Sequence, residues 1–297
     1  MADLKKRLSA NIAGNFFVDS TCINCDTCRQ LAPASFEEVG DYSAVMRQPE
    51  TEQQAYQAYQ ALLACPVGSI GAERSDKSLL QAARASFPMH LEDGVYYCGF
   101  NSEKSFGANS FFVLHPAGNW LVDSPRYIKQ LAEFFEQHGG LRYIFLSHED
   151  DVADQEKYAR QFGATRIIHR EDSVAAPGAE WLLDGTDAVR LTTDFMAIPV
   201  PGHTPGSAAL LYRDRFLFTG DHLWWEPDTG SLGSPRRLVW NGAQLVQSIR
   251  KLLDHRFEWV LAGHGDRIKL PVDQMQPALR SLIERRTGVS AHPLPIL

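Results

Sequence analysis

The sequence predicts an α+β fold in two parts: a short cysteine-bearing module, then a larger domain of short strands with helices between them. Three observations carry this. The chain has 297 residues, nearly twice the roughly 150 of an average domain. Four of its cysteines, Cys22, Cys25, Cys28 and Cys65, fall near the N-terminus. From about residue 90 onward, apolar runs of strand length recur with segments of helical period between them. The division is placed at 80, giving parts 1–80 and 81–297.

Composition excludes several classes. Hydrophobic residues make up 44% and the net charge is -7. That is ordinary for a globular chain with a core. Neither part is basic, so a nucleic-acid footprint is not indicated. No apolar run approaches the roughly 20 residues of a membrane span. The N-terminus has charges but no apolar stretch of a secretory signal, so a cytoplasmic protein is expected, and a plastid stroma would look the same. Five cysteines, an odd count without a signal, argue for metal binding rather than a disulfide framework.

In chain order, Phe16–Asp19 reads as a strand, and an acidic stretch follows at Phe36–Asp41. Glu50–Leu63 has helical composition and stops at Cys65-Pro66, where proline ends a helix. Lys77–Pro88 reads as a connecting helix. Strands are expected at Phe111–Leu114, Trp120–Val122, Tyr143–Leu146, Arg166–His169, Ala197–Val200, Ala208–Tyr212, Phe216–Phe218 and Trp259–Ala262. Helices are expected at Tyr127–His138, Asp154–Phe162 and Ala243–Leu253, and an extended tail at Ser290–Leu297.

The first chemical motif is Cys22-x2-Cys25-x2-Cys28 followed by Cys65-Pro66. Three closely spaced thiolates can wrap one corner of a cubane cluster, with loop N–H groups turned towards the sulfurs. The distant fourth cysteine closes the cage. Over residues 14–75 the pattern resembles the bacterial ferredoxin motif, whose run ends in Cys-Pro. One run with four cysteines implies a single [4Fe–4S] cluster. A zinc site is the competing reading, although zinc more often takes paired Cys-x2-Cys hooks; four buried metal-free thiols are the bland one. A cluster could carry electrons to a partner, sense redox state or staple a small module. Cys98 stands outside the motif and reads as a core thiol.

The second motif is spread over four turns, each just past an apolar strand: Ser147-His148-Glu149-Asp150-Asp151-Val152-Ala153-Asp154, Gly202-His203-Thr204-Pro205-Gly206-Ser207, Thr219-Gly220-Asp221-His222 and Ala262-Gly263-His264-Gly265. Turns past strand ends present metal ligands at one sheet edge. This order and wording resemble the metallo-β-lactamase superfamily, which includes hydroxyacylglutathione hydrolases, lactonases, nucleases and flavodiiron proteins. Asn109-Ser110 and Leu121-Val122-Asp123-Ser124 resemble its early strands. The resemblance spans about residues 90–270 and implies an αββα sandwich.

The first turn departs from the family pattern His-x-His-x-Asp-His. His148 is present, Asp150 stands at the second histidine, and Val152-Ala153 replace the Asp-His pair. A shifted register would use Asp151, Asp154 and Gln155. Fewer imidazoles and more carboxylate oxygens favour harder metals such as iron or manganese over zinc. The resemblance implies a first metal at His148, His203 and Asp221, with Asp150 or Asp151 as a fourth ligand. Asp221 would bridge to a second ion at His264, with Asp154 a further donor. A degenerate, metal-free copy of the fold is the alternative.

Other residues carry weaker signals. His90, His115, His138, His169, His255 and His292 follow no ligand pattern and read as surface or core. His222 is a candidate to steady a ligand or touch substrate. Trp224-Trp225 is a substrate wall or a core cap. Arg236-Arg237 contacts an anion or is a solvated loop.

Three functions stay open. A metal-dependent hydrolase would turn activated water on a small-molecule ester, thioester, lactone or phosphodiester, with Asp151 or Asp154 as the catalytic proton shuttle. An iron-dependent oxidoreductase would draw electrons from the cluster, as the carboxylate-bearing first turn resembles that of flavodiiron proteins. A redox sensor or electron carrier would use the larger domain as a scaffold. Fold resemblance alone does not choose among them.

Overall fold

The computed structural model describes residues 2–288, so the tail expected at 290–297 lies outside it. The chain forms two compact units. One is Met1–Ile144 with Asp150–Arg166; the other is Phe145–Glu149 with Ile167–Leu297. Among the described residues no helix is long and apolar enough to cross a membrane.

The first unit begins with the cysteine module. Strand Phe16–Val18 pairs antiparallel with Ile70–Ala72, so the module's two ends close on each other. Helix Glu52–Ala64 starts at Thr51, whose hydroxyl accepts from the Gln54 N–H while the Gln54 side chain returns to the Thr51 N–H. The helix stops at Cys65-Pro66 as expected, and Tyr59 on it meets Phe16 edge-on at 5.0 Å. The acidic stretch at 36–41 is part of a hairpin, Phe36–Val39 with Tyr42–Val45. Gly40 turns it with φ of 61°, a conformation that costs glycine little.

Helix Lys77–Ala85, capped by Asp76, leads into an antiparallel meander of Met89–Glu92, Val95–Tyr97, Phe111–Val113 and Trp120–Val122. Helix Lys129–Gln137 lays Phe134 and Phe135 on Phe112, with centroids 5.7 and 4.9 Å apart. Residues on the two sides of position 80 bond directly within this unit. Asn101 donates to the Thr27 hydroxyl at 3.1 Å, and Asn109 to the Gln30 side-chain Oε1 at 3.0 Å.

The second unit holds a six-stranded mixed sheet. Its order is Val189–Arg190, Phe195–Pro199, Ala208–Tyr212, Phe216–Gly220, Trp259–Ala262 and Ile268–Lys269. Ala208–Tyr212 and Phe216–Gly220 are buried along their whole length, which accounts for unbroken apolar runs rather than alternation. Only the Phe216–Gly220 and Trp259–Ala262 pair is parallel, and its register slips between Phe218 and Gly220. Such an irregularity re-aims the chain; here it falls one residue before Asp221. Helices Gly242–Lys251 and Val272–Thr287 bury Leu245, Ile249, Leu279 and Ile283 in one core with Leu211, Leu217 and Val260 of the sheet.

Candidate metal centres

The four motif cysteines line one pocket of the first unit, together with Val18, Ile23, Ser43 and Ile70. The Asn24 and Ser43 N–H groups both point at Cys22 Sγ at 3.4 Å. Thr27 Oγ1 lies 3.4 Å from Cys25 Sγ, and Ser69 Oγ 3.4 Å from Cys65 Sγ. Burial pushes the Cys25 thiol up to about 12 and the Cys28 thiol higher still. Four sulfurs facing one pocket, with N–H and hydroxyl groups set against three of them, fit a cationic metal core that would hold them as thiolates.

Later parts of the chain complete this cradle. Gly107 has φ of 90°, and a Cβ there would stand 2.8 Å from Cys25 Sγ. The Arg126 guanidinium donates to the carbonyls of Leu63 at 2.7 Å, Cys65 at 3.2 Å and Pro66 at 3.4 Å. It therefore clamps the Cys-Pro corner. Sequence reading missed both residues, since neither carries a local signal. Cys98 is fully buried, as a core thiol should be.

In the second unit, three imidazoles converge on one carboxylate oxygen. Nε2 of His148, of His203 and of His264 stands 3.8, 3.8 and 3.9 Å from Asp221 Oδ2. Donor atoms of His148, His203 and Asp221 all lie within 4.8 Å of one another. The His203 Nδ1–H donates to the Leu238 carbonyl at 2.7 Å, which leaves the Nε2 lone pair turned to the centre. His148 Nδ1 is held by Ser147 Oγ at 2.9 Å. Asp221 Oδ1 is buried without a hydrogen-bond partner among the described residues. Two aimed imidazoles and an unsatisfied carboxylate oxygen are a donor set that suits a divalent cation.

The loops are fixed by a residue that sequence reading did not single out. Fully buried Asp172 accepts from the Glu149 N–H at 3.1 Å, the Gly206 N–H at 2.8 Å and the Thr204 hydroxyl. It ties the His148 turn to the His203 turn. A Cβ on Gly206 would meet the Asp172 carboxylate at 2.5 Å, which explains the glycine. The Ala208 N–H also bonds the Ser147 carbonyl at 2.8 Å. Gly220, with φ of 49°, lets Ser147 and His148 approach: its Cβ would lie 2.4 Å from Ser147 Oγ.

The remaining candidates are placed as follows. Asp150 is exposed in the short turn Glu149–Asp151, and Asp151 is fully buried. Asp154 is occupied in the first unit. Its Oδ1 pairs with Lys104 at 2.8 Å and Lys157 at 3.3 Å, and its Oδ2 accepts the Tyr127 N–H at 2.8 Å. Burial raises its pKa, but these donors outweigh that and hold the carboxyl below its usual range. The proton-shuttle and ligand roles expected of Asp154 therefore give way to a structural one. His222 is fully buried, and burial, with His203 and Lys251 nearby, pushes its pKa down to about 3. It is a neutral interior group rather than an exposed substrate contact. Trp224 and Trp225 form a hairpin strand paired with Ser231–Gly233, and Trp225 packs on the unit's core.

Residues 88–275 match the family model of the metallo-β-lactamase superfamily. The chain belongs to the metallo-β-lactamase superfamily. Its fold class is the α+β sandwich of that superfamily, preceded by a ferredoxin-type module: residues 18–72 match the 4Fe-4S single cluster domain of ferredoxin I. Two relatives cover most of their own length. An uncharacterised protein of Bacillus subtilis, YobT, is 30% identical over 213 residues, covering 59% of this chain and 90% of its own. A hydroxyacylglutathione hydrolase of Acidiphilium cryptum is 31% identical over 209 residues, covering 63% of this chain and 79% of its own. The crystal structure of the DIM-1 metallo-β-lactamase shares the fold, with a TM-score of 0.51 at 15% identity over 67% of this chain and 96% of its own. The superfamily fold supports divalent metal binding at the His–Asp centre, and the N-terminal module supports an iron–sulfur cluster.

Proposed function

We propose that the chain is a metal-dependent hydrolase that cleaves an ester-type bond of a small molecule, with a thioester the leading case among ester, thioester, lactone and phosphodiester. The observation that carries this is the approach of three imidazole Nε2 atoms to within 3.9 Å of a single Asp221 oxygen. The name of the Acidiphilium cryptum relative, a hydrolase of hydroxyacylglutathione, supports the thioester.

His148, His203 and Asp221 would hold the first divalent ion, and Asp221 with His264 a second. Such an ion lowers the pKa of a bound water to about 7 and polarises the bond under attack. The protein's own part is positional. Ser147 and the Leu238 carbonyl fix two rings, Asp172 fixes the loops, and Asp221 Oδ2 stands within 3.9 Å of all three imidazole Nε2 atoms. The four-cysteine module favours a second reading, an oxidoreductase whose His–Asp centre holds iron fed by the cluster.

Metal and acid-labile sulfide content of anaerobically purified protein, beside His203→Ala, separates these readings. About four iron and four sulfide, with one or two zinc lost in the variant along with thioesterase turnover, supports the hydrolase. Extra iron lost in the variant supports the oxidoreductase. Cluster iron alone, unchanged in the variant, would sink both.

A further inference from the structure

The second unit has an open cleft of about 670 Å³ between segment 232–236, the start of helix Gly242–Lys251 and the end of helix Val272–Thr287. Arg236, Arg285 and Arg286 line it, and no carboxylate is among its lining residues. Two of the guanidiniums are held in place by backbone. Arg285 Nη2 donates to the Leu232 carbonyl at 2.6 Å, and Arg286 Nη2 to the Pro235 carbonyl at 2.6 Å. Arg285 Nη1 also reaches Ser281 Oγ at 2.8 Å. A guanidinium has five N–H donors, so each retains others for a ligand. Burial first, and the nearby charge of Arg236 second, hold the Arg286 pKa below its usual value.

Ser234 lines the same cleft. It is 2% exposed, and its hydroxyl has no hydrogen-bond partner among the described residues. Buried hydroxyls are nearly always bonded, so this one calls for an acceptor that a ligand would bring. Gly242 opens the adjoining helix with nothing within 4 Å of where its Cβ would be. Asn241 already caps the Ala243 and Gln244 N–H groups, so the arginines and Ser234 rather than the helix end carry the site. Leu282 and Val246 give the cleft an apolar side. Its volume falls in the range of small-molecule sites, larger than a bare ion requires.

We propose that this cleft binds the phosphate group of a small molecule, with Arg236, Arg285 and Arg286 forking its oxygens and the Ser234 hydroxyl donating to one of them. Guanidinium forks match tetrahedral oxyanions, and a hydroxyl donor adds direction. None of these residues is a donor to the Asp221 centre, so binding here is separable from metal binding.

The test is calorimetric titration of inorganic phosphate into the full, metal-loaded chain, beside Arg236→Gln, Ser234→Ala and His203→Ala. Arg236 makes no backbone bond that the fold relies on, so Arg236→Gln keeps the wild-type Tm. The expected result is saturable binding, weakened about tenfold by Arg236→Gln, weakened less by Ser234→Ala, and retained in His203→Ala. Binding that vanishes in His203→Ala and ignores Arg236→Gln would place the anion on the metals and overturn the proposal. Absence of saturable binding in the wild type would overturn it too.

Discussion

Replacing Asp172 by asparagine tests whether one buried carboxylate sets the geometry of the His–Asp centre. Asp172 is fully buried and accepts three bonds, from the Glu149 and Gly206 N–H groups and the Thr204 hydroxyl. Asparagine keeps one acceptor oxygen and turns the other into a donor. With the amide oxygen placed towards Glu149 and Thr204, the new NH2 faces the Gly206 N–H, so that bond is lost outright. A hydrogen bond to a charged group contributes about 1.5–3 kcal/mol, and each remaining bond falls to about 1 kcal/mol once the charge is gone. The loss totals about 2.5–7 kcal/mol, spread over the His148 and His203 turns rather than the whole chain. Loosening the shell around metal ligands typically costs about 10–100-fold in metal affinity. The assay is chelator competition on Asp172→Asn, with far-UV circular dichroism to establish that secondary structure persists. Affinity within twofold of wild type would refute the reasoning, because the loops would then be held without Asp172.

Further outcomes follow from the cysteine cradle and from Asp154. Gly107→Ala should speed loss of visible cluster absorbance under chelator several-fold, since its Cβ would stand 2.6 Å from Cys25 Cβ; an unchanged rate would show the contact to be tolerated. Arg126→Met removes a cation from beside the Cys65 carbonyl, so the cluster midpoint potential should fall by on the order of tens of millivolts, checked by redox titration. Asp154→Asn should destabilise the fold by about 1–2 kcal/mol at neutral pH, measured by urea unfolding. Because the folded pKa is depressed, the wild-type advantage is present above about pH 4 and disappears as pH falls through the folded value; a difference that persists at pH 2 would contradict the bonding described. Turnover per bound metal should stay near wild type in Asp154→Asn, whereas a shuttle would lose orders of magnitude.

The residues that gather at the His–Asp centre were legible because each sits in a turn just after an apolar strand, and histidine beside glycine is a local signal. The cysteine motif was legible for the same reason, as spacing within one loop plus a Cys-Pro. What escaped is non-local. Asp172 acts on residues 23 to 34 positions away and has no motif of its own. Asp154 looked like a ligand because it stands in the right stretch, but Lys104, fifty positions earlier, holds it. Helix Val272–Thr287 was not read from the sequence. Pro277 lies inside it and removes one backbone donor, yet packing of Met275, Leu279 and Ile283 into the core outweighs that break. The hairpin Phe36–Val45 hid behind Glu37 and Glu38, adjacent and both exposed, which break the in–out alternation of a half-buried strand.

The division of the cysteine cradle along the chain sets an order of assembly. All four sulfur ligands have been synthesised by residue 65, but Gly107 and Arg126, which close over Cys25 and clamp the Cys65 corner, come later. At about 5–20 residues per second, the roughly 60 residues from Cys65 to Arg126 take about 3–12 s on the ribosome. During that interval the four cysteines stand without their final wall. His264, emerging near the end of the chain, makes the His–Asp centre the last of the two to be completed.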